Sequence, residues 1–317
     1  MAVYSPVSKE QLEIFLLQYN IGSLTKFEGI LEGIENTNYK IVTSNNEYIL
    51  TIFEKRVNSD ELPFFINLKK HLSKKNFECP KPIKNKKGKY INLLNNKNCI
   101  IISFLKGKKT VEVANDHCNQ VGKMLALFHQ ESKDFLEKRN NNMSYNQWKS
   151  IFLKCQNTKN NKYSVIMSYI NKELSYLEKE WPKNLPEGII HADVFQDNVF
   201  FLNNKFSGLI DFYFSCNDFF AYDLAITINA WCFNINNKFE KDKFINLIQG
   251  YEKLRSLNKI EKKYLSTLLR GAATRILLTR VHDYIFHEDD AYVTPKDPAE
   301  YLSILKFHQV NDLGELL

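Results

Sequence analysis

The feature that most constrains the fold is a change of sequence pattern near residue 111. Before this point, short strand-like apolar segments are separated by turns of Lys, Asn and Gly; beyond it, apolar residues recur every three or four positions over long stretches. The first pattern is typical of strands and the second of helices. The sequence therefore predicts an α+β protein with a small, antiparallel β-rich lobe at residues 1–105 and a larger, mainly helical lobe at residues 106–317.

The predicted amino-terminal lobe opens with a helix that Ser8 caps, because Gln11 stands three positions later and completes a capping box. A second helix carries Pro63 in its first turn, where proline is tolerated. In chain order, the predicted segments are SKEQLEIFLLQYN, LTKFEGI, NYKIVTS, EYILTIFEK, DELPFFINLKKHLSKK, KPIK, KYINLL and CIIISFL.

Long helices fill the predicted carboxy-terminal lobe, and FLKGKKTVEV at residues 104–113 is the expected hinge before it. One β-hairpin is embedded among these helices, directly after residue 198. The predicted helical segments are VEVANDHCNQVGKMLALFHQES, SVIMSYINKELSYLEKEW, YDLAITINAWCF, KDKFINLIQGYEKL and KYLSTLLRGAATRILLTRVHDYIF.

Composition excludes several classes of protein. The net charge of +7 is a modest excess, and its densest run, KNKKGKY, is typical of a hairpin turn. No single face with basic residues interleaved with aromatic ones, as a nucleic-acid surface requires, is evident in the sequence. The six cysteines form no Cys-x-x-Cys pair, and no apolar run has the length of a signal peptide or a membrane span. We therefore expect a cytoplasmic protein with free thiols that binds neither nucleic acid nor membrane, and no segment specifies an oligomeric state.

The segment IIHADVFQDNVFF, residues 189–201, carries the candidate chemistry. Phosphoryl transfer from ATP needs a group that accepts or orients the proton of the acceptor hydroxyl, and hard oxygen ligands for Mg²⁺. Asp193 and Asn198 stand five residues apart on a loop, and Asp211 ends the return strand of the hairpin between apolar neighbours, where a carboxylate is costly unless paired or metal-bound. The pattern predicts Asp193 as the catalytic residue and Asn198 and Asp211 as magnesium ligands.

The motif HADVFQDN, followed by a hairpin and IDF, resembles the catalytic segment of kinases. Ala192 and Tyr213 stand where protein kinases have Arg and Gly, so the segment is similar instead to the aminoglycoside-phosphotransferase and choline-kinase branch of the protein-kinase-like fold. KMLALFHQ, which contains His129, matches the helix that opens the second lobe in that branch. The resemblance implies a bilobal small-molecule kinase, in which His191 supports the loop rather than reacts.

Longer stretches are similar to bacterial homoserine kinases of the aminoglycoside-phosphotransferase-like type, and the likeness covers nearly the whole chain. It includes GILEGIENTNY, YILTIFEKRV, LPFFINLKKHL, IDFYFSCNDFFAYDLAITINAWCF and LLRGAATRILLTRVHDY. The resemblance implies transfer of the γ-phosphate of ATP to L-homoserine, which gives O-phospho-L-homoserine for threonine biosynthesis. Alternatives are a choline, ethanolamine or aminoglycoside kinase of the same fold, and a catalytically inactive binding module.

The resemblance implies that the nucleotide contacts the first lobe. EGILEGIENTNY occupies the place of a phosphate-covering loop, where Gly33 allows close backbone approach and Asn36 and Asn38 offer amide donors. The backbone from Ser103 to Leu105 is expected to meet the adenine.

A basic residue on the third strand holds the phosphates in related enzymes, but Thr51 stands at the expected position here. Side chains alternate along a strand, so Lys55 shares a face with Thr51 and is the predicted replacement. Glu61, in the following helix, is its candidate ion-pair partner.

A zwitterionic substrate such as homoserine needs a cation for its carboxylate and an acid or an aromatic ring for its ammonium. Arg275 and Arg280, on the long apolar helix, are the candidate cations. Tyr222 and Trp231 are candidate walls of the pocket, with core packing as the alternative for both. Asp223 is expected to brace the catalytic loop.

Overall fold

A computed structural model describes residues 5–31, 36–54, 58–158, 161–287 and 295–317. Within these ranges the predicted α+β class is confirmed, since strands dominate the amino-terminal part and helices the remainder. All six cysteines are buried free thiols. In the described part of the chain, no helix combines the length and the apolar character that a membrane span requires.

The chain divides into two compact units. The first comprises Met1–Gly107 and Ser207–Tyr213, and the second comprises Lys108–Phe206 and Phe214–Leu317. The division after residue 107 lies two residues beyond the predicted boundary. The sequence also predicts the short segment that carries Asp211 as part of the second lobe, whereas its contacts place it in the first unit.

An antiparallel sheet forms the framework of the first unit. Its strand order is β1 (Leu24–Ile30), β2 (Asn36–Thr43), β3 (Glu47–Phe53), β6 (Lys97–Ser103) and β4 (Pro82–Ile83), and β5 (Asn92–Leu94) also pairs with β6. The capping box of Ser8 and Gln11 is confirmed, as is each predicted segment of this unit. The elements are α1 (Lys9–Leu16), β1 (Leu24–Ile30), β2 (Asn36–Thr43), β3 (Glu47–Phe53), α2 (Leu62–Lys74), β4 (Pro82–Ile83), β5 (Asn92–Leu94) and β6 (Lys97–Ser103).

Two apolar clusters build the core of this unit, one that includes α1 and one that includes α2. The segment Ser207–Tyr213 joins the second cluster through the Tyr213 ring. This ring lies edge-on to Phe65 of α2, with 5.4 Å between the ring centroids. Leu209 donates a backbone hydrogen bond of 2.9 Å to Glu78. These contacts explain why the segment belongs to the first unit.

Helices dominate the second unit. Two small antiparallel sheets pair β10 (Cys216–Phe219) with β7 (Glu187–Ile190) and β8 (Val199–Leu202) with β9 (Lys205–Leu209). The hairpin predicted after residue 198 is therefore confirmed. Two helices, α4 (Tyr145–Gln156) and α9 (Ala299–Val310), were missed in the sequence, although the buried Trp148, Phe152 and Cys155 of α4 follow helical spacing. The elements are α3 (Asn115–Glu131), α4 (Tyr145–Gln156), α5 (Ser164–Glu180), β7 (Glu187–Ile190), β8 (Val199–Leu202), β9 (Lys205–Leu209, which ends in the first unit), β10 (Cys216–Phe219), α6 (Phe220–Trp231), α7 (Lys241–Glu252), α8 (Lys259–Ile285) and α9 (Ala299–Val310).

Helix α6 is buried along almost its whole length. Asn229 of this helix donates a 2.9 Å hydrogen bond to the carbonyl of Leu269 in α8, and its Oδ1 lies 2.7 Å from Nε2 of His308 in α9. These two polar contacts connect α6, which also carries Asp223, with α8 and α9.

Helices α3 and α7 pack closely because a glycine on each leaves room for the backbone of the other. A Cβ at Gly122 would overlap the carbonyl oxygen of Leu247, and a Cβ at Gly250 would overlap that of Asn119. Backbone atoms cannot rotate away as a flexible side chain can, so the helices would have to move apart.

Substitution Gly122→Ala is expected to lower the free energy of unfolding by about 1–3 kcal/mol, because the added methyl group overpacks this helix contact. Urea unfolding of the purified protein measures the change. Lys123→Ala, at the exposed neighbouring position, is the control and should change stability by less than about 0.5 kcal/mol. Equal stabilities for the two variants would contradict the close packing.

Acid is expected to destabilise the protein partly through His308. Burial, with the charge of Arg270, lowers the pKa of this imidazole to about 3, and Nδ1 has no hydrogen-bond partner among the described residues. The folded-state pKa of His308 lies below its unfolded value, so protonation of this residue favours the unfolded state. Its stabilising contribution to the free energy of unfolding is complete above about pH 6.5 and is lost as the pH falls. Between pH 7 and pH 4 the free energy of unfolding should fall by about 3 kcal/mol through this residue.

The measurement is the difference in unfolding free energy between pH 7 and pH 4 for the wild type and for His308→Gln. The glutamine keeps an N–H donor but does not titrate, so its pH dependence should be smaller. An identical decline in both proteins would contradict the assignment.

Candidate active site

The loop that follows β7 holds a strained backbone conformation. Ala192 has a φ of +63°, a left-handed conformation that costs a non-glycine residue about 1–2 kcal/mol. The amides of His191 and Ala192 each donate a 2.8 Å hydrogen bond to the carboxylate of Asp223. The Ala192 carbonyl accepts a 2.7 Å hydrogen bond from Nη1 of Arg275. These bonds fix the backbone immediately before Asp193.

Asp223 is fully buried in the first turn of α6. Burial alone would raise the pKa of its carboxyl, but the hydrogen bond from His129 and the backbone amide of His191 outweigh burial and lower this pKa. The carboxylate therefore stays ionised and satisfies two backbone amides and an imidazole. The expectation that Asp223 braces the loop that carries Asp193 is confirmed.

His129 of α3 supports Asp223 from the other side. Its Nε2 lies 3.1 Å from the carboxylate and its Nδ1 lies 2.8 Å from the Tyr251 hydroxyl. Burial, helped by Arg255, lowers the pKa of His129 although Asp223 opposes the shift. The imidazole is therefore neutral near pH 7, and because a carboxylate only accepts hydrogen bonds, its proton lies on Nε2.

Asn198 holds the side chain of Asp193 in place. Its Nδ2 donates to the carbonyl of Asp193 at 2.9 Å and to Oδ2 of the same residue at 2.8 Å. Neither bond uses Oδ1 of Asn198, which is the atom that ligates a hard cation. The structure thus brings together two of the predicted residues in a single loop.

The remainder of this loop is anchored on α6. The indole N–H of Trp231 donates to the carbonyl of Val194 at 2.8 Å, and Gln196 donates to the carbonyl of Ala230 at 3.0 Å. Asp197, in contrast, faces solvent, where its carboxylate pairs with surface lysines.

The four predicted substrate residues lie in the second unit with different surroundings. Arg275 and Trp231 are buried and hold the loop backbone. Tyr222 is also buried, its ring 5.5 Å from that of Trp181, and within the described ranges its hydroxyl has no hydrogen-bond partner. Arg280 donates to Asp297 and Glu300 at the start of α9. Substrate contact by these residues stays a prediction.

Asp211 lies in the first unit on a backbone with a φ of +60°. The expectation of an apolar setting requires correction, because the residue itself is exposed while its neighbour Phe212 is buried. The apolar flanks anchor the chain in the core of the unit and leave the carboxylate at the surface.

The predicted adenine contact, Ser103 to Leu105, follows β6. The amide of Ser103 donates to the carbonyl of Lys81, and that of Phe104 donates to Glu47. Within the described residues, Leu105 donates no such backbone hydrogen bond, so its amide is the candidate donor among the three. The Leu105 side chain packs directly over Gly208.

The predicted phosphate contacts are only partly described. Gly33 and Lys55 lie outside the described residues. Thr51, at the position where the resemblance calls for a basic residue, is buried and donates a 2.7 Å hydrogen bond to Oδ1 of Asn38 on the neighbouring strand. Oδ1 of Asn36 accepts the backbone N–H of Glu54 at 3.3 Å. Contact of these asparagines with phosphates stays a prediction.

A further basic residue, Lys69 of α2, was missed in the sequence. It is 3% exposed, and its ammonium lies 5.1 Å from the centroid of the Tyr213 ring. Burial lowers the pKa of Lys69 to about 8, while Cys79 and Asp211 oppose the shift. The sequence could have indicated this burial. Lys69 stands at helical spacing from Phe65 and Leu72 and therefore lies on the apolar face of the helix.

Comparison with known proteins shows the family to which the chain belongs. The model of the phosphotransferase enzyme family matches residues 26–257. A homoserine kinase of Sinorhizobium medicae (strain WSM419) is 44% identical over 309 residues, which cover 98% of this chain and 95% of the relative. A homoserine kinase of Parvibaculum lavamentivorans is 45% identical over 309 residues, covering 98% and 96%.

The fold has close counterparts among solved structures. The crystal structure of a spectinomycin phosphotransferase in complex with ADP and spectinomycin has a TM-score of 0.71 at 17% sequence identity, and the match covers 99% of this chain and 100% of that one. This confirms the predicted protein-kinase-like fold. The chain belongs to the phosphotransferase enzyme family. Within it, the identity over nearly the whole length groups the chain with the homoserine kinases.

Substitution Asp223→Asn is expected to lower the free energy of unfolding by about 2–4 kcal/mol. The Asp223 carboxylate accepts hydrogen bonds from two backbone N–H groups with its two oxygens, whereas an amide has only one acceptor oxygen. The NH₂ group of the amide would face another hydrogen-bond donor, with which it cannot form a hydrogen bond. Chemical denaturation measures the loss, with the exposed Asp242→Asn on α7 as the control. A stable Asp223→Asn protein would show that Ala192 keeps its conformation without this carboxylate.

Proposed function

We propose that the chain is an ATP-dependent homoserine kinase, which transfers the γ-phosphate of ATP to the hydroxyl of L-homoserine and yields O-phospho-L-homoserine. The observation that carries the proposal is the near-full-length identity with homoserine kinases. The loop at Asp193 supports the same reaction, because its hydrogen bonds with Asn198 fix the carboxylate, as a general base requires. Threonine biosynthesis follows as the expected metabolic role.

Asp193 accepts or orients the proton of the homoserine hydroxyl. A positioned general base contributes roughly 10²–10⁴-fold to the rate. The bond from Asn198 to Oδ2 limits rotation of the carboxylate, while Asp223 and Arg275 fix the preceding peptide. The side chain is thus held in place before substrate binds.

Asn198 and Asp211 are the proposed magnesium ligands. Their amide and carboxylate oxygens are the hard donors that Mg²⁺ prefers, and the bonds of Asn198 to Asp193 use its nitrogen rather than its oxygen. Among the described residues, no group of three or more His, Cys, Asp or Glu is arranged for a metal ion. Two protein ligands would suffice here, because a bound Mg²⁺ would draw its other ligands from phosphates and water and would neutralise phosphate charge.

The nucleotide is proposed to meet the first unit through Leu105 at the adenine, with Ser103 as a positioning neighbour. Asn36 and Asn38, together with Gly33, are proposed to border the phosphates. Family membership supports ATP as the donor.

For the acceptor, Tyr222 and Arg275 are the better supported of the four predicted residues. Arg275 already contacts the peptide that precedes Asp193, and the buried Tyr222 hydroxyl lies close enough to Arg275 for the guanidinium to oppose the burial-driven rise of its pKa. Trp231 and Arg280 use their donors on Val194 and on the start of α9, so we assign them positioning roles.

A coupled ADP-release assay with Mg-ATP tests the function. Homoserine, choline, ethanolamine and kanamycin are supplied separately, and we expect turnover with homoserine. Asp193→Asn should lower kcat about 10²–10⁴-fold. Asp197→Asn is the matched control, because it makes the same change four residues further along the chain on an exposed side chain.

Turnover with another acceptor alone would keep the phosphotransfer chemistry and reject homoserine as substrate. No ADP release with any of the four acceptors would favour the alternative of a catalytically inactive binding module. Full activity of Asp193→Asn would remove this residue from the chemistry.

A further inference from the structure

The first unit contains a buried cation that the roles described above do not use. Lys69 stands on the apolar face of α2 with Phe65 and Leu72, at four- and three-residue spacing, and is as buried as they are. Burying an ammonium among apolar groups is costly, and a residue such as Met would fill the same space more cheaply. The charge therefore calls for an explanation other than packing.

The segment that carries Asp211 borders Lys69. The Tyr213 ring lies 5.1 Å from the ammonium, and Asp211 stands two residues before Tyr213 in the chain. Cys79 and Asp211 both oppose the burial-driven fall of the Lys69 pKa. Throughout the described residues, the ammonium forms no close ion pair and donates no hydrogen bond to a carboxylate. Its positive charge is only partly compensated by the protein and suits an anionic ligand.

Strand β3 supplies no charge in this region. Thr51 is 4% exposed, and its hydroxyl is bonded to Asn38. The other side chains of the strand that follow it, Ile52 and Phe53, are apolar and buried. The helix, rather than the strand, therefore brings a basic side chain to Asp211.

We propose that the Lys69 ammonium supplies the positive charge that binds the nucleotide phosphates beside Asp211, in place of a basic residue at Thr51. The assignment rests on the proposed kinase function. It also gives the burial of Lys69 a physical reason, because an ammonium in a poorly hydrated place interacts more strongly with phosphate than one in water. Asp211 and Tyr213 position this ammonium when no nucleotide is bound.

The test is nucleotide binding by titration calorimetry without homoserine, so that no turnover is involved. ADP and adenosine are compared, because only ADP carries phosphates. Lys69→Met should weaken ADP binding about 10–100-fold, the value of one charge-assisted hydrogen bond. Adenosine binding should change less than about twofold, and Lys69→Arg, which keeps the charge, should recover part of the ADP affinity.

Lys70→Met is the matched control. It makes the same change at the next position of α2, where the ammonium lies 4.8 Å from the Tyr90 ring. We expect its ADP affinity to equal that of the wild type. Thermal unfolding of each variant verifies the fold; should Lys69→Met not fold, Lys69→Gln, which is polar, uncharged and of similar reach, replaces it.

The outcomes separate this inference from the proposed function. Wild-type protein that binds ADP, with Lys69→Met binding it equally well, overturns the role of Lys69 and leaves the kinase intact. Equal losses of ADP and adenosine would reduce Lys69 to a packing role. If Lys55→Ala loses ADP affinity while Lys69→Met does not, the phosphate charge comes from Lys55. Wild-type protein that binds no ADP contradicts the kinase function itself.

Discussion

The buried carboxylate of Asp223 is the group on which the conformation of the loop that carries Asp193 depends. Ala192 takes up a left-handed backbone conformation that alanine does not favour, and two backbone amides then converge on a single anion. An ionised carboxylate in the interior is stable only if its acceptors are filled, and His129 supplies the remaining donor. Asp223 thereby connects helices α3 and α6 with the end of strand β7, and these contacts fix the position of the backbone that leads into Asp193.

In the first unit, aromatic packing likewise holds the short segment Ser207–Tyr213, which carries Asp211. Tyr213 packs on Phe65 of α2, Leu209 and Phe212 are buried, and Asp211 remains at the surface among them. In both units the neighbours of the predicted site residue are well fixed. Asn198 and the peptide before Asp193 hold that side chain, and buried apolar residues flank Asp211.

Periodicity predicted the helices and strands well wherever the apolar pattern was long or had clear turns. It missed α4 and α9, whose apolar stripes are short and interrupted by polar residues. It also placed Arg275 correctly on the final long helix without revealing its partner, the carbonyl of Ala192, which lies 83 positions away in the sequence. Lys69 could be recognised as a lysine on an apolar face, but nothing local connects it with Asp211.

The sequence by itself determined the class of fold and the phosphotransferase chemistry. It also predicted the residues at the centre of that chemistry, because Asp193, Asn198 and Asp211 lie within one continuous stretch of the chain. Tertiary structure decided which groups support that centre. Hydrogen bonds and ion pairs depend on distances between atoms that chain folding brings together, and residues such as Asp223, Trp231 and Lys69 carry no local mark of their partners. A buried polar group must find a partner in three dimensions, and only the packed structure shows which one it finds.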